Sequence, residues 1–392
     1  MPQPDSHVAD PTGAVNQAGL RDQNARVVLS FIRRNGAMPG AEIARRSGLS
    51  AQTVSNITRA LEADNLLRRG EAVKGKVGKP SVPVMLNPKG VHALGLSLGR
   101  RSSELMLVDF LGNQIETVST AYSHPTIDSI FSFLQNGMDV IFAKHPAARA
   151  NTTGIGVAVP GKIWDWLEIV HAPEDVMRKW RDLDIKTTIA QQTGLDVYVE
   201  NDATSACVAE QLLGQGGAFS DFAYIFIGAF IGGGLVLNGK VFSGRTGNAA
   251  AFGPMPVADG RGGTTELLSV ASLHVLETIL RNDGLDPRDL RRNPTDWSFC
   301  QEQVDVWVQS TSQRLAVAIA SIMSVVEVEA VLIDGAMPEE VAVQVTEMTR
   351  RAFDDLDITL IERPAIHRGQ VGRNARALGA ALLPIHARYF AL

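Results

Sequence analysis

The spacing of hydrophobic residues near the start of the chain predicts three helices. Residues 19–35 carry a stripe of apolar side chains at helical spacing, and residues 42–44 lie in a second, shorter helix. Gly48 follows as a turn residue. Apolar residues then recur at helical spacing in a third helix, at Val54, Ile57 and Leu61. Two short helices joined by a tight turn are typical of a helix-turn-helix motif.

The third helix has a polar face opposite its apolar stripe. Ser50 precedes it and is a good N-cap, because its hydroxyl can accept a hydrogen bond from an unpaired backbone N–H. The outward residues are Ala51, Gln52, Thr53, Ser55, Asn56 and Arg59. Such side chains can enter a major groove and contact base edges or phosphates. We therefore predict a DNA-binding helix; the alternative is an ordinary helical hairpin with a polar face.

Residues 70–86 predict a basic β-wing beside this motif. Two short strand-like runs flank a tip that is rich in glycine and lysine. Glycine lets the tip approach the duplex closely, and lysine neutralises phosphates or reaches a minor groove. The lysines assigned to DNA contact are Lys74, Lys76 and Lys79.

After residue 90 the pattern changes to strands alternating with helices. Residues 92–118 predict three strands joined by turns, and residues 154–163 predict a buried strand that ends in a Pro-Gly turn. Residues 232–234 predict a glycine turn between two more strands. The remaining predicted elements are strands at 197–199 and 331–337, a hairpin at 238–239, and helices at 131–144, 185–193, 267–280, 304–326 and 372–387. This alternation favours an α/β body with central sheets.

The charge of the chain is divided unevenly. The net charge is −5, yet residues 21–89 hold 13 Lys and Arg against 5 Asp and Glu. A basic head on an acidic body implies that only the head meets a polyanion. The two cysteines, Cys207 and Cys300, suit a reducing cytoplasm, and no apolar run is long enough to span a bilayer. We therefore expect a cytoplasmic protein with no signal peptide and no membrane contact.

The body contains four sequence runs that follow one another along the chain: GIGVAVPG, VENDA, GGGLVLNGKVFSG and VGRNARALGAALL. Together they resemble the ROK family, which groups sugar kinases with transcriptional repressors on a two-lobed, actin-like (ribonuclease-H-like) α/β fold. The head is similar to the winged helix-turn-helix of the family's repressors. The predicted domains are a disordered arm (1–18), the winged helix-turn-helix (19–89) and the ROK-like body (90–392). Its first lobe takes about 90–205 with 372–392, and its second takes about 206–371.

Only some of the residues that the family's kinases need for catalysis are present at the matching positions of this chain. The kinases hold ATP phosphates and magnesium on an Asp- and Gly-rich first turn, but here Ser97 replaces the acidic residue. Arg100 and Arg101 fill positions of small residues, which argues against a nucleotide there but not against another anion. Asp202 matches the catalytic base, and with Asn201 it can hold sugar hydroxyls even without removing a proton. The alternative role for Asp202 is helix capping.

The family's other sugar and zinc ligands are largely replaced. Its glutamate and zinc-binding histidine fall at Ala251 and Pro254, and no cysteine stands at its zinc-ligand positions, which are Asp259, Arg261 and Glu266. Because thiolates hold that zinc, we predict no family-type zinc and no ATP cofactor. The residues assigned to ligand binding are Gly161, Glu174, Asp175, Asn201, Asp202 and Glu266.

These observations predict a DNA-binding repressor that is controlled by a small-molecule effector, a sugar or sugar derivative. We expect a homo-oligomer, a dimer or tetramer, on an operator with an inverted repeat. The helices at 267–280 and 304–326 are candidates for the dimer surface. Two alternatives stay open: an active ATP-dependent sugar kinase with a regulatory DNA-binding head, and a DNA-binding dimer that ignores ligands.

Overall fold

The computed structural model describes residues 17–72, 82–161, 163–165, 172–260 and 262–391. Contacts divide the chain into two units, one of Met1–Val91 with His386–Leu392 and one of His92–Ile385. We call the first unit the head and the second the body. The boundary lies two residues beyond the predicted one at Lys89. Most of the predicted arm, up to residue 16, and the predicted wing tip at residues 73–81 lie outside the described residues.

Three helices and a small sheet build the head. The helices are α1 (Gln17–Asn35), α2 (Gly40–Ser47) and α3 (Ala51–Ala63), and the strands are β1 (Leu67–Arg69) and β2 (Val84–Leu86). The two strands pair antiparallel, which is the arrangement expected for the base of a wing. α3 contacts both α1 and α2. Its predicted apolar stripe, Val54, Ile57 and Leu61, is buried.

The C-terminal segment of the chain belongs to the head. The Arg26 guanidinium donates to the carbonyl of Ala387 at 3.1 Å, and the N–H of Ala391 donates to Ser30 Oγ at 2.9 Å. Phe390 is 1% exposed and lies against the guanidinium of Arg33, 4.7 Å from its ring centroid. These contacts with α1 explain why the grouping differs from the predicted one, which placed residues 372–392 wholly in the first lobe of the body.

The first body sheet has the order β5-β4-β3-β6-β7. Its strands are β3 (His92–Leu98), β4 (Ser102–Asp109), β5 (Gln114–Ala121), β6 (Thr152–Val159) and β7 (Val197–Asn201). The helices are α4 (Ile127–Lys144), α5 (Pro146–Asn151), α6 (Glu174–Asp182) and α7 (Ile185–Thr193). β3, β6 and β7 run parallel, so their carboxyl ends lie at one edge of the sheet.

The second body sheet has the order β10-β9-β8-β13-β14. Its strands are β8 (Phe222–Ile227), β9 (Ile231–Leu237), β10 (Lys240–Val241), β13 (Ala330–Gly335) and β14 (Ala365–Arg368), and β11 (Pro256–Ala258) pairs with β12 (Thr264–Glu266) as a separate hairpin. The helices are α8 (Asp202–Leu213), α9 (Leu268–Ala271), α10 (Leu273–Asn282), α11 (Asp289–Arg292), α12 (Gln301–Val325), α13 (Glu339–Asp354) and α14 (Ala375–Tyr389). The predicted alternation of strands and helices is confirmed.

The predicted glycine turn at residues 232–234 is wrong, because these glycines lie inside β9. A Cβ on Gly233 would lie 2.2 Å from Phe252 Cδ2, and one on Gly234 would lie 2.4 Å from Cys207 Cβ. Glycine is therefore required here by close packing and not by turn geometry. The turn itself is at residues 228–230, and the predicted Asn238-Gly239 hairpin is confirmed with φ of 53° and 70°.

The helix predicted at residues 267–280 is interrupted at Ser272. This residue is extended, with φ −87° and ψ 163°, and separates α9 from α10. Its hydroxyl accepts from the N–H of Ile231 at 2.9 Å and donates to the carbonyl of Leu268 at 2.6 Å. The buried Trp307 indole donates to the Ser272 carbonyl at 3.1 Å. Tertiary hydrogen bonds thus replace helical ones at this position. The spacing of apolar residues cannot reveal such hydrogen bonds, so it predicted one continuous helix.

Two helices of the body approach each other at backbone contact. A Cβ on Gly379 of α14 would lie 1.7 Å from the carbonyl oxygen of Ser205 in α8. Ser205 is fully buried, one turn after the start of α8. α14 therefore supports the helix whose first residue is Asp202.

Candidate functional sites

The helix-turn-helix geometry follows from two local devices. Gly48 ends α2 with φ 73°, a left-handed conformation that glycine adopts without strain. Ser50 then caps α3: its hydroxyl accepts from the N–H of Thr53 at 3.1 Å and lies 2.8 Å from the Thr53 hydroxyl. The predicted N-cap is confirmed.

The outward face of α3 is a connected row of polar side chains. Gln52 Nε2 donates to Asn56 Oδ1 at 3.1 Å, and Arg59 Nη2 reaches the same oxygen at 3.3 Å. Arg59 also lies 3.3 Å from Ser55 Oγ. Ala51, Gln52, Ser55, Asn56 and Arg59 are exposed and Thr53 is half-buried. Because these partners lie within one helix, each can be exchanged for a base edge or a phosphate without disturbing the core.

The wing lysines assigned to DNA contact, Lys74, Lys76 and Lys79, lie outside the described residues. The strands on either side of them are in place. Leu67 and Val84 are buried, and Arg69 is exposed and hydrogen-bonded to Glu62 at 2.9 Å.

In the body, the carboxyl edge of β3, β6 and β7 collects the predicted ligand-binding residues Gly161 and Asn201. Val159 at the end of β6 pairs with Asn201 at the end of β7. A Cβ on Gly161 would lie 3.8 Å from Asn201 Nδ2 and 3.7 Å from Asn248 Oδ1. The structure thus adds Asn248, an exposed residue after β10, to this edge. A glycine at position 161 keeps the space beside both amides open.

Asn201, and not Asp202, is the N-cap of α8. Its Oδ1 accepts from the N–H groups of Ala203 and Thr204 at 3.0 and 3.2 Å. The Asn201 oxygen is therefore committed to the helix, while its Nδ2 is directed toward Gly161. Asp202 is the first helical residue; its Oδ1 accepts from the N–H of Ala203 at 2.9 Å. The alternative that Asp202 serves as the cap does not fit this geometry.

Asp202 faces an arginine that the sequence did not point to. Arg376, in the first turn of α14, places Nη1 3.6 Å from Asp202 Oδ2, and the two side chains are 23% and 22% exposed. The Arg376 guanidinium also lies 5.5 Å from the ring centroid of Phe226. Arg376 belongs to the VGRNARALGAALL run. The sequence analysis used this run only as evidence for the family resemblance and assigned no role to Arg376.

The turn that follows β3 at the same edge is held by hydrogen bonds on both sides of Gly99. The N–H of Gly99 donates to the Ser102 carbonyl at 2.9 Å, and the Tyr122 hydroxyl donates to the Gly99 carbonyl at 2.7 Å. Burial raises the pKa of Tyr122 to about 12, which keeps this donor protonated. Arg100 is 8% exposed, and its guanidinium lies over the ring of Phe230.

The structure does not bring the other predicted ligand-binding carboxylates into contact with Asn201 or Asp202. Glu174 is exposed and forms an ion pair with Arg178, one turn later in α6. Asp175 is exposed on the same helix, and Glu266 is exposed at the end of β12. Their assignment to ligand binding stays a prediction.

Within the described ranges, no group of three or more His, Cys, Asp or Glu side chains is placed to hold a metal ion. Asp259, at a position of the family's zinc cysteines, accepts instead from the N–H of Gly263 at 2.8 Å. No helix of the described segments combines the length and apolar character that crossing a bilayer requires.

These features define a class of protein: a winged-helix head joined to a two-sheet α/β body with polar residues at one sheet edge. A model of the ROK family matches residues 93–387, and a model of the MarR family matches residues 19–76. Because the first match covers well over half of the chain, the chain belongs to the ROK family. The resemblance read from the four sequence runs is confirmed, as is the predicted fold class.

Similar proteins include repressors, regulators and kinases. A xylose repressor of Caldicellulosiruptor bescii is 27% identical over 247 residues, which are 61% of this chain and 59% of that protein. The chain thus spans less than two thirds of that repressor's length. A crystal structure of a ROK family transcriptional regulator, a homolog of the E. coli MLC protein, superposes with a TM-score of 0.70 at 22% identity, over 94% of this chain and 97% of that one.

The body fold is also that of a kinase. A ROK family glucokinase from Streptomyces griseus, in complex with glucose and AMPPNP, matches with a TM-score of 0.59 and 22% identity. The match covers 74% of this chain and 98% of that one. The fold alone therefore does not separate regulators from enzymes, and the site residues have to decide.

Proposed function

We propose that this chain is a sequence-specific DNA-binding transcriptional repressor whose body binds a small-molecule effector, a sugar or sugar derivative. The observation that carries the proposal is the exposed polar row on the capped helix α3, within a segment of net charge +8. The printed names of relatives, xylose repressor among them, and the MarR family match support the same function.

In this proposal each head uses one set of residues to read bases and another to hold the backbone. Gln52 and Asn56 carry amides, which pair with adenine edges in a major groove. Arg59 and the wing lysines supply positive charge, which binds phosphates of any sequence. A homo-oligomer with two heads would engage an inverted repeat.

In this proposal the body controls DNA binding because the effector shifts the population of the protein between two arrangements. An effector held by Asn201, Asp202 and the Gly161 turn changes DNA affinity only if it prefers one of two arrangements of the protein. The Asn201 Nδ2 donor and the Asp202 carboxylate are the complementary pair that sugar hydroxyls require. Neither group needs to transfer a proton for this role.

We also propose that the body does not phosphorylate sugars and takes neither ATP nor the family's zinc. Arg376 lies 3.6 Å from the carboxylate that would have to act as base, so this carboxylate is already engaged in an ion pair. The Arg100 side chain stands at the turn where the kinases require small residues. Cysteines are absent from the positions of the family's zinc ligands.

The test has two arms on the full chain. Duplexes bound from a random library are selected and footprinted, and we expect a single inverted-repeat motif whose recovery depends on Gln52 and Asn56. ATP turnover is measured in parallel with a panel of hexoses, and we expect no rate above that of a Asp202→Asn variant. Turnover that Asp202→Asn abolishes would replace this proposal with the kinase alternative.

A further inference from the structure

Three side chains on the outer face of α3 form a directed chain of hydrogen bonds. Asn56 follows Gln52 by four residues and precedes Arg59 by three, a spacing that makes it a neighbour of both on a helix. Gln52 Nε2 donates to Asn56 Oδ1 at 3.1 Å, and Arg59 Nη2 donates to the same oxygen at 3.3 Å. All three side chains are exposed, so these bonds and not core packing hold them together.

Arg59 determines the direction of this chain of hydrogen bonds. A guanidinium group has only N–H donors, so the Asn56 atom that it contacts must be the oxygen. Gln52 therefore also meets an acceptor and has to present its Nε2 to it. A second bond, from Arg59 Nη2 to Ser55 Oγ at 3.3 Å, helps to hold the guanidinium on this face. The orientation of both amides thus follows from one arginine.

The bonds leave the two amides with different capacities. A carbonyl oxygen has two lone pairs, and Asn56 Oδ1 uses both, one for Gln52 and one for Arg59. An amide nitrogen carries two N–H donors, so Gln52 Nε2 keeps one after it has bonded to Asn56. Among the described residues, neither Gln52 Oε1 nor Asn56 Nδ2 takes part in a hydrogen bond. Gln52 therefore offers a donor and an acceptor, and Asn56 offers donors alone.

An amide side chain reads adenine in a major groove with a donor and an acceptor together. The amide nitrogen donates to N7 of the base while the amide oxygen accepts from its N6 amino group. Gln52 can make both bonds without leaving Asn56, whereas Asn56 would first have to release Gln52 or Arg59. Gln52 is also the second residue of α3, and the first residues of a recognition helix are those that contact base edges.

We propose that Gln52 reads an adenine in each half-site, and that Asn56 is a positioning residue that holds Gln52 and Arg59 and reads no base pair of its own. This inference rests on the proposed DNA-reading role of the head. Ordering a long side chain at an interface costs affinity, and a side chain that is already ordered avoids this cost. Asn56 removes the cost for Gln52 and Arg59 together. The remaining N–H groups of Arg59 stay available to a phosphate.

The test compares base preferences and not affinities alone. The duplex selected by the parent protein is prepared with each base pair of one half-site replaced in turn. Fluorescence anisotropy gives the affinity of the full chain for every duplex. For the parent we expect an A·T pair whose replacement weakens binding about tenfold or more. Gln52→Ala should lower this ratio to about twofold or less.

Two changes at position 56 separate positioning from reading. Asn56→Ala should lower the preference at the pair read by Gln52 about threefold to tenfold, because Gln52 then has to be ordered by the matched base alone. Asn56→Asp keeps an oxygen that accepts from Gln52 and Arg59. Its negative charge weakens binding to every duplex, and the ratio between two duplexes cancels this effect. The preference of Asn56→Asp should therefore stay within about twofold of the parent's.

Asn35→Ala is the matched control. Asn35 is an exposed amide at the end of α1 whose Oδ1 accepts from Arg46 Nη1 at 2.9 Å, and its loss should leave every ratio unchanged. In the double variant Gln52→Ala/Asn56→Ala, the ratios should equal those of Gln52→Ala alone, since the two residues act as a unit.

Three results would overturn the inference. They are a separate base pair whose preference both Asn56→Ala and Asn56→Asp abolish, an Asn56→Ala protein with the preferences of the parent, and additive losses in the double variant. The parent itself tells these failures apart from failure of the proposed function. A parent that binds every duplex equally would overturn the proposed function together with the inference, whereas each of the three results above leaves a sequence-specific parent in place.

Discussion

The close contact between α14 and α8 makes Gly379→Ala an informative change. Alanine in a helix interior is favoured over glycine by about 1 kcal/mol, so helix propensity alone predicts stabilisation. The new Cβ, however, would lie 1.7 Å from Ser205 O and 2.5 Å from Ser205 C, both backbone atoms. Neither atom can rotate away. The two helices would have to separate by about 1.3 Å before the contact became tolerable.

Overpacking of this kind costs up to about 3 kcal/mol, which leaves a net loss of about 2 kcal/mol after the helix gain. For a unit of this size, the melting temperature should fall by roughly 4–8 °C. Gly137→Ala is the matched control, a buried glycine inside α4 whose Cβ would lie 2.9 Å from Leu105 Cδ2, the flexible end of a side chain. It should stay within about 1 kcal/mol of the parent.

Thermal and denaturant unfolding of the full chain, followed by circular dichroism, measure both variants. Because α14 supports the start of α8, Gly379→Ala should also reduce the stabilisation of the body by a bound sugar. A Gly379→Ala protein that melts at or above the temperature of the parent would refute the packing of α14 against Ser205.

Three further predictions concern the two sites. Gln52→Ala or Asn56→Ala should cost about 1–3 kcal/mol on the selected operator and relax its sequence preference, as measured by competition binding. Lys76→Ala or Lys79→Ala should weaken binding to all duplexes and lower the slope of log K against log salt by about 1; a change of base preference would instead make the wing a reader. Asp202→Ala should abolish the rise in melting temperature that sugars produce in the parent protein, and an unchanged rise would remove Asp202 from the ligand site.

Local sequence signals were sufficient for the head. The cap at Ser50, the turn at Gly48 and the apolar spacing of α3 are determined within a few residues of each other, and all three appear in the structure. The strand flanks of the wing follow for the same reason. The sequence analysis did not predict that Phe390 packs against α1. Contacts between residues at opposite ends of a chain leave no periodic signal in the sequence.

The body shows the limit of the same reasoning. The carboxyl ends of β6 and β7 could be read from the sequence, and with them the positions of Gly161 and Asn201 just after or at the end of a strand. Arg376 could not, because it reaches Asp202 only after α14 has packed against α8. The glycines of β9 were mistaken for a turn because close packing and turn formation favour the same residue.

The central claim is that a DNA-reading head and a sugar-binding, non-phosphorylating body share one chain. Its most direct test is the affinity of the full chain for the selected duplex and for a scrambled duplex, measured by fluorescence anisotropy across a salt series, with and without the tightest-binding sugar. We predict a preference of at least about 10³-fold for the selected duplex at physiological salt, and a change in that affinity when the sugar is added. Equal affinity for both duplexes, unaffected by any sugar, would contradict the account.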